Sequence, residues 1–478
     1  MLLLALSLAL AVDPTPAVAP GTLTLERVFA DPPLGGRPPM GLSLSPDGKT
    51  VSFLRPNEAD SDVLDLWGAA LPDGAPRLLV ATADLLGGKE QKLTEAERMA
   101  LERKRISKRG ITSYLWCGKD QPALVFPLSG DLYLARLTAA APEIVRLTHD
   151  EDVPEMDPVC DDQGAHIAVV KKGDVVVLDI KTRQARALTH GASPTRSFGL
   201  AEFVAAEEMD RDVGMWWAPD GKRMIVFEVD ESPVGVKTRA RIFADRTEME
   251  EQRYPAAGEK NAAVTPWLVD VANGKKVRLQ VPPADGYLPR AGFFPDGAPW
   301  IEWQSRDQTV LKLFEGDLRG ALRQILEETD PTWVELHDDL KPLRDNRRLL
   351  WSTERSGRRQ LVVVDRASGA LTPFTNEPEP VDQLDGVDED KGVVYFTARR
   401  DRGRQRHVFS QPLAGGPAVQ LTSEPGFHAA TFDDTGRFFV HTWSDFGRPP
   451  VVDVRDAGGQ RVQVLDDNPA AELMAMTR

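Results

Sequence analysis

One short unit recurs along the chain and constrains its fold more than any other feature. A polar turn, often containing glycine, is followed by an alternating or apolar strand, as in SPDGKTVSFLR at Ser45 and APDGKRMIVFEV at Ala218. The units begin at residues 45, 118, 161, 218, 294, 344, 388 and 433. Such a turn between two apolar runs is typical of a β-hairpin. The chain is therefore predicted to be a repeat protein of short antiparallel strands.

The spacing of these units predicts an all-β fold, an eight-bladed β-propeller of four-stranded antiparallel blades with short helical insertions. One blade cannot bury both of its faces, whereas blades stacked around an axis bury one another. Most intervals match the roughly 40–50 residues of a blade. Three longer intervals indicate insertions, at 93–106, around 201–212 and at 246–261. We expect helix mainly in the first two, with Thr94 and Glu97 forming a capping box.

The chain divides into four segments. Residues 1–19 have the features of a signal peptide, because the apolar run from Leu2 to Val12 is too short to span a bilayer and small-x-small sites follow it. No Lys or Arg precedes that run. An N-terminal segment (20–40), the propeller (41–466) and a C-terminal tail (467–478) follow. We expect a periplasmic or secreted protein without a membrane span.

Composition limits the partners. A net charge of −15 argues against nucleic acid and anionic membranes, which need clustered Lys and Arg. Cys117 and Cys160 lack metal-ligand spacing and are expected to be free thiols. A bridge between them is the alternative, since they occupy similar positions in successive repeats. The seven histidines are scattered, and neither a metal motif nor a phosphate loop occurs. We therefore expect no metal and no cofactor.

A pair of adjacent acids, Glu207 and Glu208, is the most unusual local feature. Their segment, GLAEFVAAEEMDRDVGMWWAPDGKRMIVFEVDESPV (199–234), resembles the double-glutamate segment of the dipeptidyl peptidase IV family, in the prolyl oligopeptidase class of serine peptidases. ERKRISKRGITSY (102–114) and QRYPAAG (252–258) match as well. The similarity extends from about Leu23 to about Asp466, nearly the whole chain.

The resemblance implies an eight-bladed propeller over an α/β-hydrolase domain, with the active site between them. It also implies that Glu207 and Glu208 bind the free N-terminal amine of a peptide. Arg105, in the ERKR segment, would contact the carbonyl of the second residue. A peptide α-amine has a pKa of about 8 and is therefore mostly an ammonium at neutral pH. Two carboxylates can bind this ammonium through charge-assisted hydrogen bonds. Holding the terminus at one point sets a fixed distance to the scissile bond, as dipeptide removal requires.

Structural interpretations stand beside these assignments. Glu207 could pair with Arg211 on a solvated acidic helix face, and Arg105 could lie on a solvated basic face. The propeller could also be a non-catalytic binding or scaffold protein of the cell envelope. A third possibility is a hydrolase that acts on sugars through carboxylates in the central channel.

The chain departs from the family in one respect. It contains no Gly-x-Ser-x-Gly motif, and the family's catalytic serine, aspartate and histidine would lie in a domain after the propeller. We therefore expect either a truncated product or a natural propeller-only homologue, inactive as a peptidase by itself. Its expected partners are peptides with a free N-terminus. Leu23, Leu25, Val28 and Phe29 would lack their hydrolase-domain contacts, which favours homo-oligomers.

Overall fold

The computed structural model describes residues 23–138, 141–150, 153–282 and 286–476. The predicted signal peptide lies outside the described residues. Strands dominate this part of the chain, at 46% against 6% helix. Six sheets each form one blade, an eight-stranded sheet forms two more, and a separate two-stranded hairpin projects from blade 4. The predicted all-β, eight-bladed propeller is confirmed.

The first insertion lies between blades 1 and 2, and blade 3 follows blade 2 directly. A short helix, α1 (Leu25–Phe29), precedes blade 1, which consists of β1 (Met40–Leu44), β2 (Thr50–Pro56), β3 (Val63–Ala70) and β4 (Arg77–Val80). The insertion contains α2 (Thr82–Leu86), α3 (Glu95–Arg103) and β5 (Arg109–Gly110), which pairs with β3. Blade 2 consists of β6 (Leu115–Cys117), β7 (Ala123–Leu128), β8 (Asp131–Arg136) and β9 (Glu143–Arg146). Blade 3 consists of β10 (Met156–Cys160), β11 (His166–Lys171), β12 (Asp174–Asp179) and β13 (Ala185–Ala187).

Blade 4 carries the other two insertions. Its elements are β14 (Arg196–Phe198), α4 (Phe203–Glu208), β15 (Met215–Trp217), β16 (Arg223–Asp230), β17 (Val236–Ile242), β18 (Thr247–Arg253), β19 (Ala263–Asp270) and β20 (Lys276–Arg278). Strands β17 and β18 pair only with each other, and we call this hairpin the arm. Blade 5 consists of β21 (Gly286–Tyr287), β22 (Ala291–Phe293), β23 (Pro299–Ser305), β24 (Val310–Gly316) and β25 (Leu322–Thr329).

The last three blades are regular, and blades 7 and 8 share a sheet. Blade 6 consists of β26 (Lys341–Pro342), β27 (Arg348–Thr353), β28 (Gln360–Asp365) and β29 (Leu371–Pro373). Blade 7 consists of β30 (Val381–Asp388), β31 (Val393–Arg400), β32 (Gln405–Pro412) and β33 (Val419–Gln420). Blade 8 consists of β34 (Phe427–Phe432), β35 (Phe438–Asp445), β36 (Arg448–Asp456) and β37 (Arg461–Asp466), and α5 (Ala471–Ala475) follows it. One parallel bridge, between Arg406 and Phe427, joins the two blades.

The repeated turns form the first hairpin of each blade. In blade 1 the Ser45 amide donates to the Thr50 carbonyl at 2.8 Å, and Leu44 pairs with Val51. The turn places Gly48 at a φ of 63°, a left-handed conformation that favours glycine. Gly221 occupies the equivalent position of blade 4, at 67°. The recurring Pro-Asp-Gly turn is thus explained by local backbone geometry.

The hydrophobic core lies between blades. Because side chains alternate along a strand, consecutive residues of one blade face the two different blades on either side of it. Phe53 packs in a cluster with residues of blade 8, such as Val452, whereas Leu54 packs with Phe126 of blade 2. Eight such clusters fill the eight blade interfaces. The cluster between the last and the first blade closes the ring without a shared strand.

Helices α3 and α4 lie in the two insertions where helix was predicted, and the structure contains three further helices. The capping box of α3 is confirmed, since the Glu97 carboxylate accepts from the Thr94 amide at 2.8 Å and the Thr94 hydroxyl accepts from the Glu97 amide at 3.2 Å. Helices α1, α2 and α5 have five residues each and were not predicted. Across the described ranges, no helix has the length and apolar character needed to cross a membrane.

The prediction of two free cysteines is wrong. Cys117 and Cys160 end the first strands of blades 2 and 3, and a disulfide joins them with Cα atoms 5.3 Å apart. Equivalent positions of adjacent blades come close here, because Gly118 and Gly164, which follow the same strands, have their backbones in contact. The repeat itself therefore brings the two thiols within bonding distance.

Candidate functional site

Helix α4 carries the paired acids and is fixed on the side away from solvent. Ala205 and the following Met209 are 0% and 3% exposed, which anchors the helix to blade 4. Phe203 packs edge to face against Tyr254 at the end of the arm, with ring centroids 5.1 Å apart. Glu207 and Glu208 end the helix and are both exposed. The helix therefore presents its last two side chains from a rigid base.

Neither carboxylate has a counter-ion of its own. In the part of the chain that the structure describes, Glu207 and Glu208 form no ion pair and no hydrogen bond through their side chains. They also lie at the C-terminal end of a helix, where the aligned peptide dipoles favour cations over anions. Two adjacent carboxylates at the negative end of a helix create a site that attracts a cation.

Arg211 is not the partner of Glu207, and that structural interpretation is wrong. The guanidinium is 3% exposed and pairs with the carboxylate of Glu202, the residue before α4. It also donates to the Val213 carbonyl at 2.8 Å and lies 5.1 Å from the ring centroid of Phe227. Arg211 therefore closes the loop under α4 from the inside and does not pair with either exposed acid.

Glu207 and Arg105 line one cavity, which we call the main cavity. Its volume is about 700 Å³, and it lies between the end of α3 and the α4 segment. Arg105 follows α3 with a left-handed φ of 53° and is exposed. Among the described residues, Glu208 is not part of the cavity wall. The structure thus brings together two of the three predicted site residues, and Glu208 stands beside them.

Arg103 lines two cavities and was not among the residues predicted from the sequence. It ends α3 and lines the main cavity together with Glu207. It also lines a neighbouring cavity of about 460 Å³, which includes Lys237 and Tyr254 from the base of the arm. The ERKR segment contains several basic residues. Because α3 ends at Arg103, both Arg103 and Arg105 reach the main cavity, which the sequence does not show.

The two insertions are tied together by charge. Lys104 Nζ lies 3.4 Å from Asp212 Oδ2, which links the segment after α3 to the segment after α4. Just after β16, burial raises the pKa of Glu231, against the attraction of Arg103 and Arg253. The wall of the main cavity contains both acidic and basic side chains.

Comparison with known proteins identifies the fold and the family. The family model described as "Dipeptidyl peptidase IV (DPP IV) N-terminal region" matches residues 112–450, more than half of the chain. The chain belongs to this family. The match includes α4 and the arm, so the Glu207–Glu208 part of the candidate site lies in the matched region. Arg103 and Arg105 lie just before the matched residues.

Curated relatives of this DPP IV region include dipeptidyl peptidase 8 from two mammals. The human protein is 24% identical over 449 residues, covering 74% of this chain and 50% of its own length. The Mus musculus protein is 24% identical over 382 residues, with 62% and 43% covered. The chain thus spans about half the length of these relatives. Among solved structures, dipeptidyl peptidase 4 of Porphyromonas gingivalis superimposes with a TM-score of 0.75 at 20% identity, over 93% of this chain and 61% of that one.

Proposed function

We propose that this chain is the substrate-recognition propeller of an exported dipeptidyl aminopeptidase, and that Glu207 and Glu208 bind the N-terminal ammonium of a peptide. The observation that carries the proposal is the pair of exposed, unpaired carboxylates at the C-terminal end of α4, with Glu207 in the wall of the main cavity. An ammonium offers three N–H donors and relieves the repulsion between the two acids. A blocked terminus or a mid-chain amide offers neither advantage.

The basic residues of the first insertion complete the proposed site. Arg103 and Arg105 line the main cavity together with Glu207. A guanidinium in this position suits the carbonyl oxygen of the peptide's second residue, which only accepts hydrogen bonds. Together these groups would bind the two polar ends of a dipeptide unit. We propose recognition for this chain and assign the peptide-bond chemistry of the family to none of its residues.

Export is part of the proposal. The Cys117–Cys160 disulfide supports it, because disulfides persist in oxidising compartments such as the periplasm or the extracellular space. The apolar segment at the N-terminus of the sequence points in the same direction.

An NMR titration with a free and an N-acetylated Ala-Pro peptide tests the amine site. Each exposed contact contributes only about 0.2–1 kcal/mol, so affinity is expected in the millimolar range and should fall with added salt. Acetylation should abolish binding because it removes the cation. Glu207→Gln and Glu208→Gln should each weaken binding, whereas Glu251→Gln, at an exposed acid on the arm that forms no ion pair within the described residues, is the matched control. Equal shifts for both peptides would refute the proposal and favour a scaffold role.

The absence of peptidase chemistry is tested separately. The isolated 478-residue chain should show no turnover of a Xaa-Pro chromogenic dipeptide and no labelling by a fluorophosphonate probe. A serine hydrolase needs a nucleophile, a base and an oxyanion site held together, and the sequence offers no such motif. Turnover that a single Ser→Ala substitution abolishes would show that the chain is an enzyme in its own right.

A further inference from the structure

A second cavity adjoins the main cavity and has no part in the function proposed above. Its volume is about 310 Å³, and we call it the side cavity. It lies between α3, which contributes Leu101, and the first strands of blades 2 and 3, which contribute Leu115 and Met156. Lys104, Asp157 and Asp212 line both cavities. The two cavities therefore adjoin along these side chains.

The side cavity is preformed, because α3 is locked over it. One oxygen of the Glu97 carboxylate caps the helix at Thr94, and the other accepts from the Gly130 amide at 2.8 Å. Gly130 belongs to the turn between β7 and β8. The Glu97 side chain thus caps the beginning of α3 and also fixes the helix to blade 2.

The walls combine apolar surface with two polar groups that have no partner. The apolar part includes Leu101, Ile106, Leu115, Leu128 and Met156. Within the described residues, the buried Ser129 hydroxyl has no hydrogen-bond partner. The part-buried Asp157 carboxylate has neither a hydrogen bond nor an ion pair there. Unsatisfied polar groups in an apolar wall cost free energy that a ligand can recover.

The charges around Asp157 leave it without a counter-ion. Lys104 and Arg103 attract its negative charge, but Lys104 is engaged with Asp212 at 3.4 Å, and Asp212 repels it. Burial raises the pKa of the Asp157 carboxyl to about 6. A cation placed beside Asp157 would therefore meet a carboxylate that forms no hydrogen bond or ion pair with the described residues.

Left-handed backbone conformations occur at both cavities. Ser129 and Asp157 have left-handed φ angles of 52° and 49°, and Arg105 and Asp210 of the main cavity have 53° and 51°. At Ser129 this conformation belongs to the two-residue turn between β7 and β8, and Lys172 has the same conformation in the equivalent turn of blade 3.

We infer that the side cavity is a subsite for a lysine side chain on the N-terminal residue of a peptide whose α-amine is held at Glu207. The inference rests on the proposed amine site. The lysine methylenes would pack against the apolar wall, while the ammonium would donate to Asp157 and to the Ser129 hydroxyl. The side cavity suits this residue better than an apolar one because only a donor satisfies both orphan groups.

Isothermal titration of the full chain with Lys-Ala-Ala and norleucine-Ala-Ala peptides tests the inference. The two side chains share their methylenes and differ in the terminal ammonium. A hydrogen-bonded charged contact in a partly dry site should make the lysine peptide bind roughly tenfold tighter. Asp157→Asn should remove that preference, and Ser129→Ala should reduce it. Asp401→Asn is the matched control, since Asp401 lines neither cavity and asparagine tolerates its left-handed backbone.

The outcomes separate the two proposals. Equal affinities for the lysine and norleucine peptides, with binding still lost on N-acetylation, would overturn the subsite and leave the amine site standing. Tighter binding of Ala-Lys-Ala than of Lys-Ala-Ala would overturn the assignment to the first residue. A lysine preference that persists in Asp157→Asn would show that the general negative charge of the chain causes it, and would also overturn the subsite. Insensitivity to acetylation would refute the amine site itself.

Discussion

The guanidinium of Arg211 pairs with the carboxylate of Glu202 inside blade 4, and both side chains are buried. The pair joins the residue before α4 to the loop after it. The three glutamates of this segment look alike in the sequence but differ in the structure. Glu202 is buried and paired with Arg211, whereas Glu207 and Glu208 are exposed and form no ion pair with the described residues.

Glu202→Gln should destabilise the protein, whereas Glu207→Gln should not. Removing one partner of a buried ion pair leaves an unpaired buried charge and costs about 3–5 kcal/mol. An exposed substitution changes the free energy of unfolding by no more than about 0.5 kcal/mol. Thermal unfolding and limited proteolysis of the segment 199–214 provide the measurement. Identical unfolding midpoints for the two variants would contradict the assigned pairing.

The disulfide should be present in the native protein and should stabilise it. A thiol titration of the purified chain is expected to find no free cysteine, since Cys117 and Cys160 are its only two. Cys117→Ser with Cys160→Ser should lower the free energy of unfolding by about 2–5 kcal/mol, because the bridge restricts the unfolded chain. Reduction of the wild type should lower its unfolding midpoint in the same way, and reduction of the double variant should have no effect. Two reactive thiols in the native protein would contradict this prediction.

Three buried histidines meet where blades 7 and 8 join. His428 stacks between His407 and His441, with ring centroids 4.9 and 5.1 Å away. Its Nε2 donates to the Glu424 carbonyl at 2.7 Å, so its Nδ1 must accept from His441 Nε2 at 2.8 Å. His441 Nδ1 in turn lies 2.9 Å from Asp453 Oδ1, which also accepts from Arg455. A further proton on His428 would break its bond to His441.

The stability of this junction should therefore decrease in acid. Burial lowers the pKa of His428 from 6.5 to about 4, and the other two histidines add to the effect. The folded state binds fewer protons than the unfolded state between these values, so the stabilisation is complete above about pH 6.5 and is lost as the pH falls through about 4. His428→Gln should show a smaller decrease in its urea midpoint between pH 7 and pH 4. The exposed His149→Gln should behave as wild type, and equal pH dependence in all three proteins would refute the prediction.

The N-terminal helix should promote self-association. Leu25 and Phe29 of α1 are 74% and 85% exposed, although Arg27 anchors the helix to Glu472 of α5. Such an apolar surface favours contacts between molecules. Sedimentation velocity should show association that increases with concentration and weakens when residues 1–34 are deleted. Leu25→Ser with Phe29→Ser should have the same effect while Arg27 remains in place. A monomer at all concentrations before and after these changes would contradict the prediction.

The candidate site was predictable only in part. Glu207 and Glu208 stand out because adjacent acids before an aromatic strand match a family pattern. Their freedom from Arg211 was not predictable, because helical spacing allows a Glu207–Arg211 pair and only burial shows that Arg211 points inward. Arg103 and Asp157 were missed for a related reason. They reach the cavities through the end of α3 and the start of β10, elements that are distant in sequence.

The sequence by itself determined the blades, and the tertiary structure decided which residues meet between them. A hairpin such as Leu44–Val51 depends on local turn geometry and on alternation, both visible within about ten residues. The Cys117–Cys160 bridge and the stack of His407, His428 and His441 depend on how neighbouring blades are placed in the ring. The physical reason is range: backbone conformation is set by adjacent residues, whereas packing and charge pairing are set by distances that only the closed ring establishes.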